Sequence, residues 1–340
     1  MSHNQDTPID MILPLDSVAQ LVQKVLIREG CDEANAQAVA EVLWKAERDG
    51  SSSHGLFRLP GYIASLRSGK VNGKAKPFVS NLSPGVLRVD GDGGYAPLAH
   101  KVMLEPLLER AKSQGVAIAA LVNTYHFAAL WVEVEMLAER GVVALACTSY
   151  KPAMPPASGI KPLFGTNPIA FGWPREGKEP LVFDQASSVV ARGEVMIAAR
   201  DGKKMPEGVG IGPDGTPTTD PNEILKGAIL PSGGYKGASL ALMVELLAGP
   251  LLGECLSFEA VKRDNDDGGP PQGGEFILAI APSQTGASSN FQTHAELLFA
   301  EMLSQPGVRL PSDGRRARRA AVAKTGVRVP ANIQKLLGVD

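Results

Sequence analysis

The sequence predicts a mixed α/β protein, because apolar stretches of strand length alternate with helical patterns along the chain. One unit shows the alternation clearly: a strand at 87–89 is followed by a glycine-rich turn, a helix over about 98–113 and an apolar strand at 116–122. Further buried strands are predicted where short apolar runs stand between polar segments, at 141–148, 181–184 and 276–280.

Helices are expected mainly near the two ends of the chain. Residues 16–29 carry apolar side chains on one helical face, and Asp32 can cap a second helix over 32–46. Another helix is predicted near 290–304. Residues 262–275 are polar and rich in glycine and proline, so a surface loop is expected there.

The composition is that of an ordinary globular protein. The chain has 340 residues, of which 44% are hydrophobic and 21% charged, with a net charge of −2; this length allows two domains. The balanced charge and the 5% aromatic content argue against a nucleic-acid partner. No apolar run reaches about 18 uncharged residues, so no membrane span is expected, and no signal peptide is visible.

The cysteine pattern bears on compartment and metal content. Cys31, Cys147 and Cys255 are odd in number, far apart and without a CxxC pair. This pattern predicts reduced thiols in the cytoplasm and argues against a zinc site, so no metal is expected.

A glycine motif follows the strand at 87–89. Gly91-x-Gly93-x-x-Ala96 fits the loose fingerprint of a dinucleotide-binding turn. However, Asn123 ends the next strand, where an acidic residue should meet the ribose. A Rossmann turn and a purely structural turn both remain open from these residues alone.

The stretch 51–60, Ser-Ser-Ser-His-Gly-Leu-Phe-Arg-Leu-Pro, is the strongest candidate site. His54 and Arg58 are four residues apart, so a helix would place them on one face. Arg58 can bind a carboxylate with its two-pronged guanidinium group, and His54 can transfer a proton near neutral pH. The alternative is a solvated helix start in which Arg58 lies at the surface.

Two other segments could meet an anionic ligand. Gly233 and Gly234 precede Lys236 at the start of an apolar helix, where free backbone amides and the lysine could hold phosphate. The basic run 309–328 could line a site for an anionic cofactor. The alternative in both cases is a solvated surface.

Several separated motifs together carry a resemblance to one family. The chain resembles the malate/L-lactate dehydrogenase family of the second type, and within it the branch that reduces Δ1-piperideine-2-carboxylate and Δ1-pyrroline-2-carboxylate. The matching segments run in family order: Ser53-His54-Gly55-x-x-Arg58-Leu59-Pro60, His126-Phe127-Ala128, Phe164-Gly165-Thr166-Asn167-Pro168, Phe183-Asp184, Ala191-Arg192-Gly193, Gly233-Gly234-Tyr235-Lys236-Gly237 and Arg309-Leu310-Pro311.

The resemblance has consequences for the architecture. It implies a non-Rossmann NAD(P)-binding domain with a largely antiparallel sheet, and it makes the Gly91 motif a structural turn. The expected domains are an NAD(P)-binding domain over 116–284 and a helical substrate and dimerisation region formed by 1–115 together with 285–340. A homodimer with its active site near the subunit interface is also implied.

Roles follow by position in the family motifs. His54 corresponds to the proton donor, with Ser53 and Glu194 acting in a relay with it. Many relatives have aspartate at the place of Glu194. Arg58 corresponds to the residue that binds the substrate carboxylate, and the remaining substrate contacts are Thr166 and Arg192.

The cofactor implied by the resemblance is NADPH, with NADH possible. The residues that correspond to its contacts are His126, Phe127, Ala128, Ala129, Leu130, Asp184, Gln185, Ala186, Tyr235, Lys236, Arg309 and Arg315. The loop after Arg309 is one residue longer than in the family, so Arg316 is an alternative to Arg315.

The function that these features predict is an NAD(P)H-dependent reduction of cyclic imino acids to L-proline or L-pipecolate. One alternative is the same hydride transfer on a 2-oxo or 2-hydroxy acid, which His54 and Arg58 serve equally well. A second alternative is a ligand-binding protein that has kept the fold without catalysis.

Overall fold

A computed structural model describes residues 10–126, 129–286 and 290–339. Its twelve helices are α1 Leu15–Arg28, α2 Glu33–Arg48, α3 Leu59–Arg67, α4 Ala96–Gln114, α5 Trp131–Glu139, α6 Arg192–Arg200, α7 Pro221–Lys226, α8 Tyr235–Ala248, α9 Ser257–Arg263, α10 Phe291–Leu303, α11 Asp313–Thr325 and α12 Ala331–Leu337. Its strands are β1 Met11–Leu13, β2 Phe78–Ser83, β3 Val86–Tyr95, β4 Val116–Tyr125, β5 Val143–Thr148, β6 Ile169–Trp173, β7 Leu181–Gln185, β8 Gly210–Ile211, β9 Pro217–Thr218, β10 Ala228–Ile229, β11 Gln272–Ile280 and β12 Val327–Val329.

A seven-stranded sheet in the order β2-β3-β4-β11-β5-β6-β7 forms the centre of the molecule. Only the β3–β4 pair is parallel, and the other five pairs are antiparallel. The prediction of a largely antiparallel sheet is therefore confirmed, and the Rossmann alternative is wrong. Two smaller sheets pair β1 with β12 and arrange β10, β8 and β9 side by side.

The sheet is covered on both faces. Buried side chains of α4 and α5 pack with β3, β4, β5 and β11 into the main apolar core, while α8 packs against β5 and β11. Along the central strands, every second side chain points into that core. Ala119 and Leu121 on β4 and Ile277 on β11 are fully buried and belong to it.

A second core joins the helices of the two chain ends. Apolar side chains of α1, α2, α3 and α12 pack together with the β12 strand. The Asp32 carboxylate caps α2 by accepting a hydrogen bond of 3.0 Å from the Asn35 amide, as predicted. The central sheet contains strands from both sides of residue 115, because β3 pairs with β4. The division into an NAD(P)-binding domain that starts at residue 116 and a helical region before it stays a prediction.

The Gly91 motif lies within the long strand β3, where the pairing with β4 shifts register between Asp90 and Gly94. A Cβ on Gly91 would come within 2.1 Å of the Thr124 side chain, and one on Gly94 within 2.3 Å of Ala75. These glycines therefore permit close packing of a bulged strand, which is the structural role that the resemblance implied.

The expected loop at 262–275 is only partly correct. Strand β11 begins at Gln272, and Glu275 is buried within it. The preceding residues are anchored rather than free, since Lys70 binds Asp264 at 2.8 Å and Asp267 at 2.5 Å. The polar composition reflected these ion pairs. In the described part of the chain no helix is both long and apolar enough to cross a membrane.

Candidate active site

The segment after α2 carries His54 and Arg58 on two consecutive 3₁₀ turns, Ser52–His54 and Leu56–Arg58, rather than on one helix. The Ser53 hydroxyl lies 3.0 Å from Nδ1 of His54. The Arg58 Nε donates a hydrogen bond of 2.7 Å to the Ser53 carbonyl oxygen. Arg58 is buried, so the alternative of a solvated helix start is wrong.

Glu47 on α2 supports these turns. Its Oε1 accepts a hydrogen bond of 2.6 Å from the Leu56 amide. A Cβ on Gly55 would lie 2.1 Å from the same Oε1. The glycine of the Ser-His-Gly motif therefore leaves room for Glu47, because a side chain there would shift the Glu47 carboxylate away from the turn.

Glu47 gives the fold a pH dependence that can be measured. Burial raises the pKa of Glu47 from 4.5 to about 7, although the Leu56 hydrogen bond opposes this. The folded state therefore loses stability as the pH rises from about 4.5 to about 7. Glutamine keeps an acceptor for Leu56 without the charge. We expect Glu47→Gln to raise the melting temperature at about pH 8 and to leave it near wild type at about pH 4.5; an equal shift at both would contradict this.

His54 and Arg58 face a small cavity of about 70 Å³. The structure brings Thr166 and Arg192, which were predicted as substrate contacts, to the same cavity, together with His126, which was predicted as a cofactor contact. None of the described residues that line it is acidic. The other lining residues are Thr148, Ser149, Tyr150, Pro168, Ala191 and Gly193. A larger cavity of about 750 Å³ also touches Arg58 but contains none of the other four predicted residues, so the smaller one is the candidate substrate site.

Thr166 is held by a firmly bonded loop. Its carbonyl oxygen accepts a hydrogen bond of 2.8 Å from the Ser187 amide. The next residue, Asn167, is fully buried with φ of 40° and donates from Nδ2 to Glu245 Oε1 at 2.8 Å and to the Ala241 carbonyl at 3.0 Å. These bonds tie the loop to α8 and fix the position of Thr166 at the cavity.

The cavity is electropositive. Burial, together with the charge of Arg58, lowers the pKa of His54 to about 3. Burial also lowers the pKa values of Arg58 and Arg192, but from an ordinary value of 12.5, so both guanidinium groups stay charged near pH 7. The free protein therefore presents two cations and a neutral His54, an arrangement that favours a small anion.

Glu194 does not join this group. It lies in the first turn of α6 with an exposed side chain, and among the described residues no hydrogen bond joins it to His54. The preceding Gly193 faces the site instead, since a Cβ there would lie 2.9 Å from an Arg58 nitrogen. Successive helical residues point about 100° apart, so a helix that turns Gly193 inward turns Glu194 away. Of the two relay partners predicted for His54, Ser53 lies beside it in this structure and Glu194 does not.

Asp184 and Arg315 form the polar part of the predicted cofactor region. Asp184 lies near the end of β7, and its Oδ1 is 3.3 Å from Nη2 of Arg315. Burial raises the pKa of Asp184 although Arg315 opposes it. The Arg315 guanidinium also lies 4.3 Å above the Trp131 ring. Arg316 instead binds Glu179 at 2.7 Å, so Arg315 is the arginine that reaches this region.

The other predicted cofactor residues lie around this pair or near it in the chain. His126 follows β4 directly, and Ala129 and Leu130 are buried before α5; Phe127 and Ala128 lie outside the described residues. Exposed residues are Gln185, Tyr235, Lys236 and Arg309, and Ala186 is half-buried.

The loop before α8 lies against the segment after β7. The Ser232 amide donates a hydrogen bond of 2.9 Å to the Ser187 carbonyl oxygen. Gly233 and Gly234 have φ of 61° and 65°, values that favour glycine. The structure therefore brings the loop that carries Lys236 beside the end of the strand that carries Asp184.

Three buried polar residues near the cavity escaped the sequence reasoning. His100, Glu133 and Glu275 lie next to His126 in one cluster. Glu275 is the single ionisable residue of strand β11, and that isolation could have identified it, because an ionisable group is rarely buried without a partner. His100 and Glu133 lie on helices that carry several other charged residues, so no comparable signal marks them in the sequence.

The chain belongs to the malate/L-lactate dehydrogenase family, whose model matches residues 13–337. A Delta(1)-pyrroline-2-carboxylate/Delta(1)-piperideine-2-carboxylate reductase from Pseudomonas aeruginosa is 47% identical over 327 residues, which are 96% of this chain and 98% of that protein. A Delta(1)-pyrroline-2-carboxylate reductase from Ancylobacter novellus is 46% identical, with 94% of each protein covered.

A solved structure agrees with these sequences. The delta1-piperideine-2-carboxylate reductase from Pseudomonas syringae pv. tomato superposes with a TM-score of 0.91 at 41% identity, covering 96% of this chain and 98% of that one. The family and the names of these relatives make the chain an oxidoreductase, and they imply a nicotinamide cofactor.

Proposed function

We propose that the protein reduces cyclic ketimine carboxylates, Δ1-pyrroline-2-carboxylate or Δ1-piperideine-2-carboxylate, to L-proline or L-pipecolate with hydride from NAD(P)H. The observation that carries the proposal is the small cavity in which Arg58, Arg192 and His54 meet without an acidic neighbour among its described lining residues. The reductase names of the relatives that cover nearly the whole chain support it.

The substrate carboxylate is assigned to Arg58. Its Nε is held by the Ser53 carbonyl oxygen, which orients the guanidinium plane. A planar guanidinium binds a carboxylate through two parallel hydrogen bonds. Arg192 and Thr166 line the same cavity and complete the proposed contacts.

The proton is assigned to His54. Hydride addition to the carbon of a C=N bond leaves the nitrogen in need of a proton, which a positioned imidazolium group can give. In the free protein the pKa of His54 is low, in part because Arg58 is charged. A substrate carboxylate bound to Arg58 offsets that charge and raises the pKa of His54 again. Substrate binding and protonation of His54 are therefore coupled in this proposal.

The residues present fit a nicotinamide cofactor. Arg315 Nη1 is a buried donor that has no partner among the described residues, and such a group is expected to meet a ligand. We assign the cofactor to the region of His126, Asp184, Arg315 and Lys236, and we propose NADPH because the loop with Lys236 offers a cation for an additional phosphate. Bound there, the cofactor supplies the hydride.

The competing function is reduction of a 2-oxo acid, the reverse of the 2-hydroxy acid oxidation in the family name. Initial rates with both cyclic imines, pyruvate and oxaloacetate, each with NADPH and NADH, separate the two. We expect the highest kcat/KM with a cyclic imine and NADPH. A higher kcat/KM with an oxo acid would contradict the proposal, and cofactor binding without oxidation by any of these would indicate a binding protein.

We also propose a homodimer formed through the outer face of α8. One side of this helix is buried against the sheet, yet Leu242, Met243 and Leu246 are 41–53% exposed on the other side. A helix that is apolar all round is normally covered all round. A second copy of the chain would cover it.

The homodimer can be tested by introducing a charge on that face. We expect Leu246→Glu to yield a monomer in size-exclusion chromatography with light scattering, because a carboxylate would be buried without a partner. Leu82→Glu on the outermost strand β2, where Leu82 is 60% exposed, is the matched control and should leave the dimer intact. A monomeric wild type would rule the dimer out.

A further inference from the structure

Four buried ionisable side chains from four parts of the fold meet beside the cavity. His100 comes from α4, His126 follows β4, Glu133 comes from α5 and Glu275 from β11. Their hydrogen-bonding atoms lie within 4.8 Å of one another, and none of the four side chains is more than 9% exposed. We call this group the His–Glu cluster. Burying four ionisable groups costs desolvation free energy, so we expect the cluster to serve a purpose that offsets this cost.

The two kinds of group alternate in space. Nδ1 of His100 lies 3.4 Å from Glu133 Oε1, and Nε2 of His100 lies 2.6 Å from Glu275 Oε2. Nε2 of His126 lies 3.1 Å from Glu133 Oε1 and 3.6 Å from Glu275 Oε2. Each imidazole is therefore placed against both carboxylates.

The charge of His100 follows from this arrangement. Only an imidazolium ion has an N–H on both nitrogens and can donate to two carboxylates at once. Burial alone would lower the pKa of His100, but Glu275 and Glu133 outweigh it and raise the pKa to about 8. His100 is then a buried cation near pH 7 that neutralises part of the charge of the two carboxylates.

The distances fit hydrogen bonds better than a shared metal ion. Ligand atoms around tetrahedral zinc lie roughly 3.3 Å apart, given bond lengths of about 2.0–2.2 Å. The His100–Glu275 pair at 2.6 Å is too close for two such ligands. It is instead the length of a strong, charge-assisted hydrogen bond.

His126 links the cluster to the substrate cavity, which it lines together with His54. Its Nε2 is occupied by Glu133, and among the described residues no hydrogen bond involves its Nδ1. The His100 ring lies edge-on to it, with centroids 5.6 Å apart. The contacts with Glu133 and His100 therefore constrain the His126 ring without involving its Nδ1 atom.

We propose that His100, Glu133 and Glu275 are positioning residues that hold His126 in one ring orientation, with Nδ1 presented to the ligands in the cavity. The proposal rests on the proposed reductase function for its kinetic consequence, but the orientation itself does not depend on the substrate. The cost of burying the cluster is then explained by a fixed imidazole beside the reacting atoms.

The charged and titratable groups around the cluster come from every element packed on it. Burial and the charge of Glu275 raise the pKa of Cys147 on β5, and Glu133 contributes to the raised pKa of Asp184 on β7. Across the cavity, His54 is influenced by both His126 and Glu133. His126 lies 3.6 Å from Glu275 and lines the cavity together with His54, so the pH dependence of kcat is a usable readout of a change in Glu275.

Kinetics of three variants test the proposal. We expect Glu275→Gln to lower kcat roughly 10- to 100-fold with little change in the KM for substrate, and to shift the alkaline limb of the kcat–pH profile, where the proton donor His54 loses its proton, to lower pH. Glu275→Asp should recover most of kcat and the original profile, because it keeps the charge. His294→Gln, on the exposed surface of α10, is the control for a glutamine substitution away from the cluster and should match wild type.

Two results would overturn the proposal that the cluster positions His126. A Glu275→Gln profile that superposes on the wild-type profile, with any loss of kcat matched by a loss of folded protein, would reduce Glu275 to a structural residue and overturn the proposal. So would stoichiometric zinc in the purified enzyme whose removal by a chelator abolishes activity.

A second measurement needs neither substrate nor a stable variant. Imidazole ¹⁵N resonances of the wild-type protein, labelled on histidine, report the protonation and tautomer of each ring. We expect one histidine to stay doubly protonated up to about pH 8 and another to hold a single tautomer with its proton on Nε2. A neutral His100 at pH 6, or mixed tautomers of His126, would overturn the positioning network whatever the substrate assays show.

Discussion

Replacing His54 by alanine is expected to lower kcat by roughly 100- to 10,000-fold, the usual contribution of a positioned general acid, while the dissociation constant of NADPH stays near the wild-type value. The reason is geometric. His54 lines the cavity with Arg58 and its Nδ1 is 3.0 Å from the Ser53 hydroxyl, so its loss removes the proton donor without opening the region around Asp184 and Arg315.

Two further variants locate the end of the relay. Ser53→Ala removes the only described hydrogen-bond partner of the His54 ring, and we expect an intermediate loss of kcat. Glu194→Gln should lose little, because the Glu194 side chain is exposed and does not reach His54. Stopped-flow measurement of NADPH oxidation gives kcat, and fluorescence titration gives cofactor affinity. If Glu194→Gln were as damaging as His54→Ala, Glu194 would have to act in catalysis.

Local elements could be predicted because their signals are local. The strand at 181–184 and the helix capped by Asp32 are each specified by a few neighbouring residues. His54, Arg58 and Thr166 were identified because each lies in a short motif. What the motifs could not show was the pair of 3₁₀ turns that replaces one helix, since the turn depends on the contact between Gly55 and Glu47 on α2.

The His–Glu cluster could not be predicted because its members meet only through the sheet. His100 and Glu275 are 175 positions apart. Strand β11 inserts between β4 and β5, so Glu275 lies opposite Leu121 on one side and Thr148 on the other. The β4–β11 register shifts between Gly273 and Glu275, and such a bulge redirects the side chains that follow it. No sequence period specifies that order of strands or that shift.

Glu194 shows what a family motif cannot predict. A family motif places a residue type at a position, but the direction of its side chain depends on how the helix packs. Here Gly193 takes the inward position against Arg58, and the glutamate one residue later is left outside. The family motif therefore gives the position of Glu194 in the chain, whereas the packing of α6 decides which way its side chain points.

Replacing Arg58 by alanine is expected to raise the KM for the imino acid about 10- to 150-fold, because losing a charge-assisted contact costs roughly 1.5–3 kcal/mol. Arg200→Ala is a matched control. Both guanidinium groups lie over the Phe57 ring, at 5.4 Å for Arg58 and 5.7 Å for Arg200, but Arg200 does not line the small cavity. Equal effects of the two substitutions would mean that Arg58 acts through packing on Phe57.

Arg58→Ala should also change the pH dependence, and this second effect separates electrostatics from simple loss of binding. After burial, the charge of Arg58 is the largest influence that lowers the pKa of His54. Without it, the pKa of His54 rises, so the limb of the free-enzyme kcat/KM profile that reports His54 should move to higher pH. Arg58→Lys keeps the charge but not the two-pronged geometry, so it should raise KM while leaving that limb near its wild-type position. A limb that stays in place in Arg58→Ala as well would show that the charge of Arg58 does not control protonation of His54, and the coupling between carboxylate binding and proton donation would have to be abandoned.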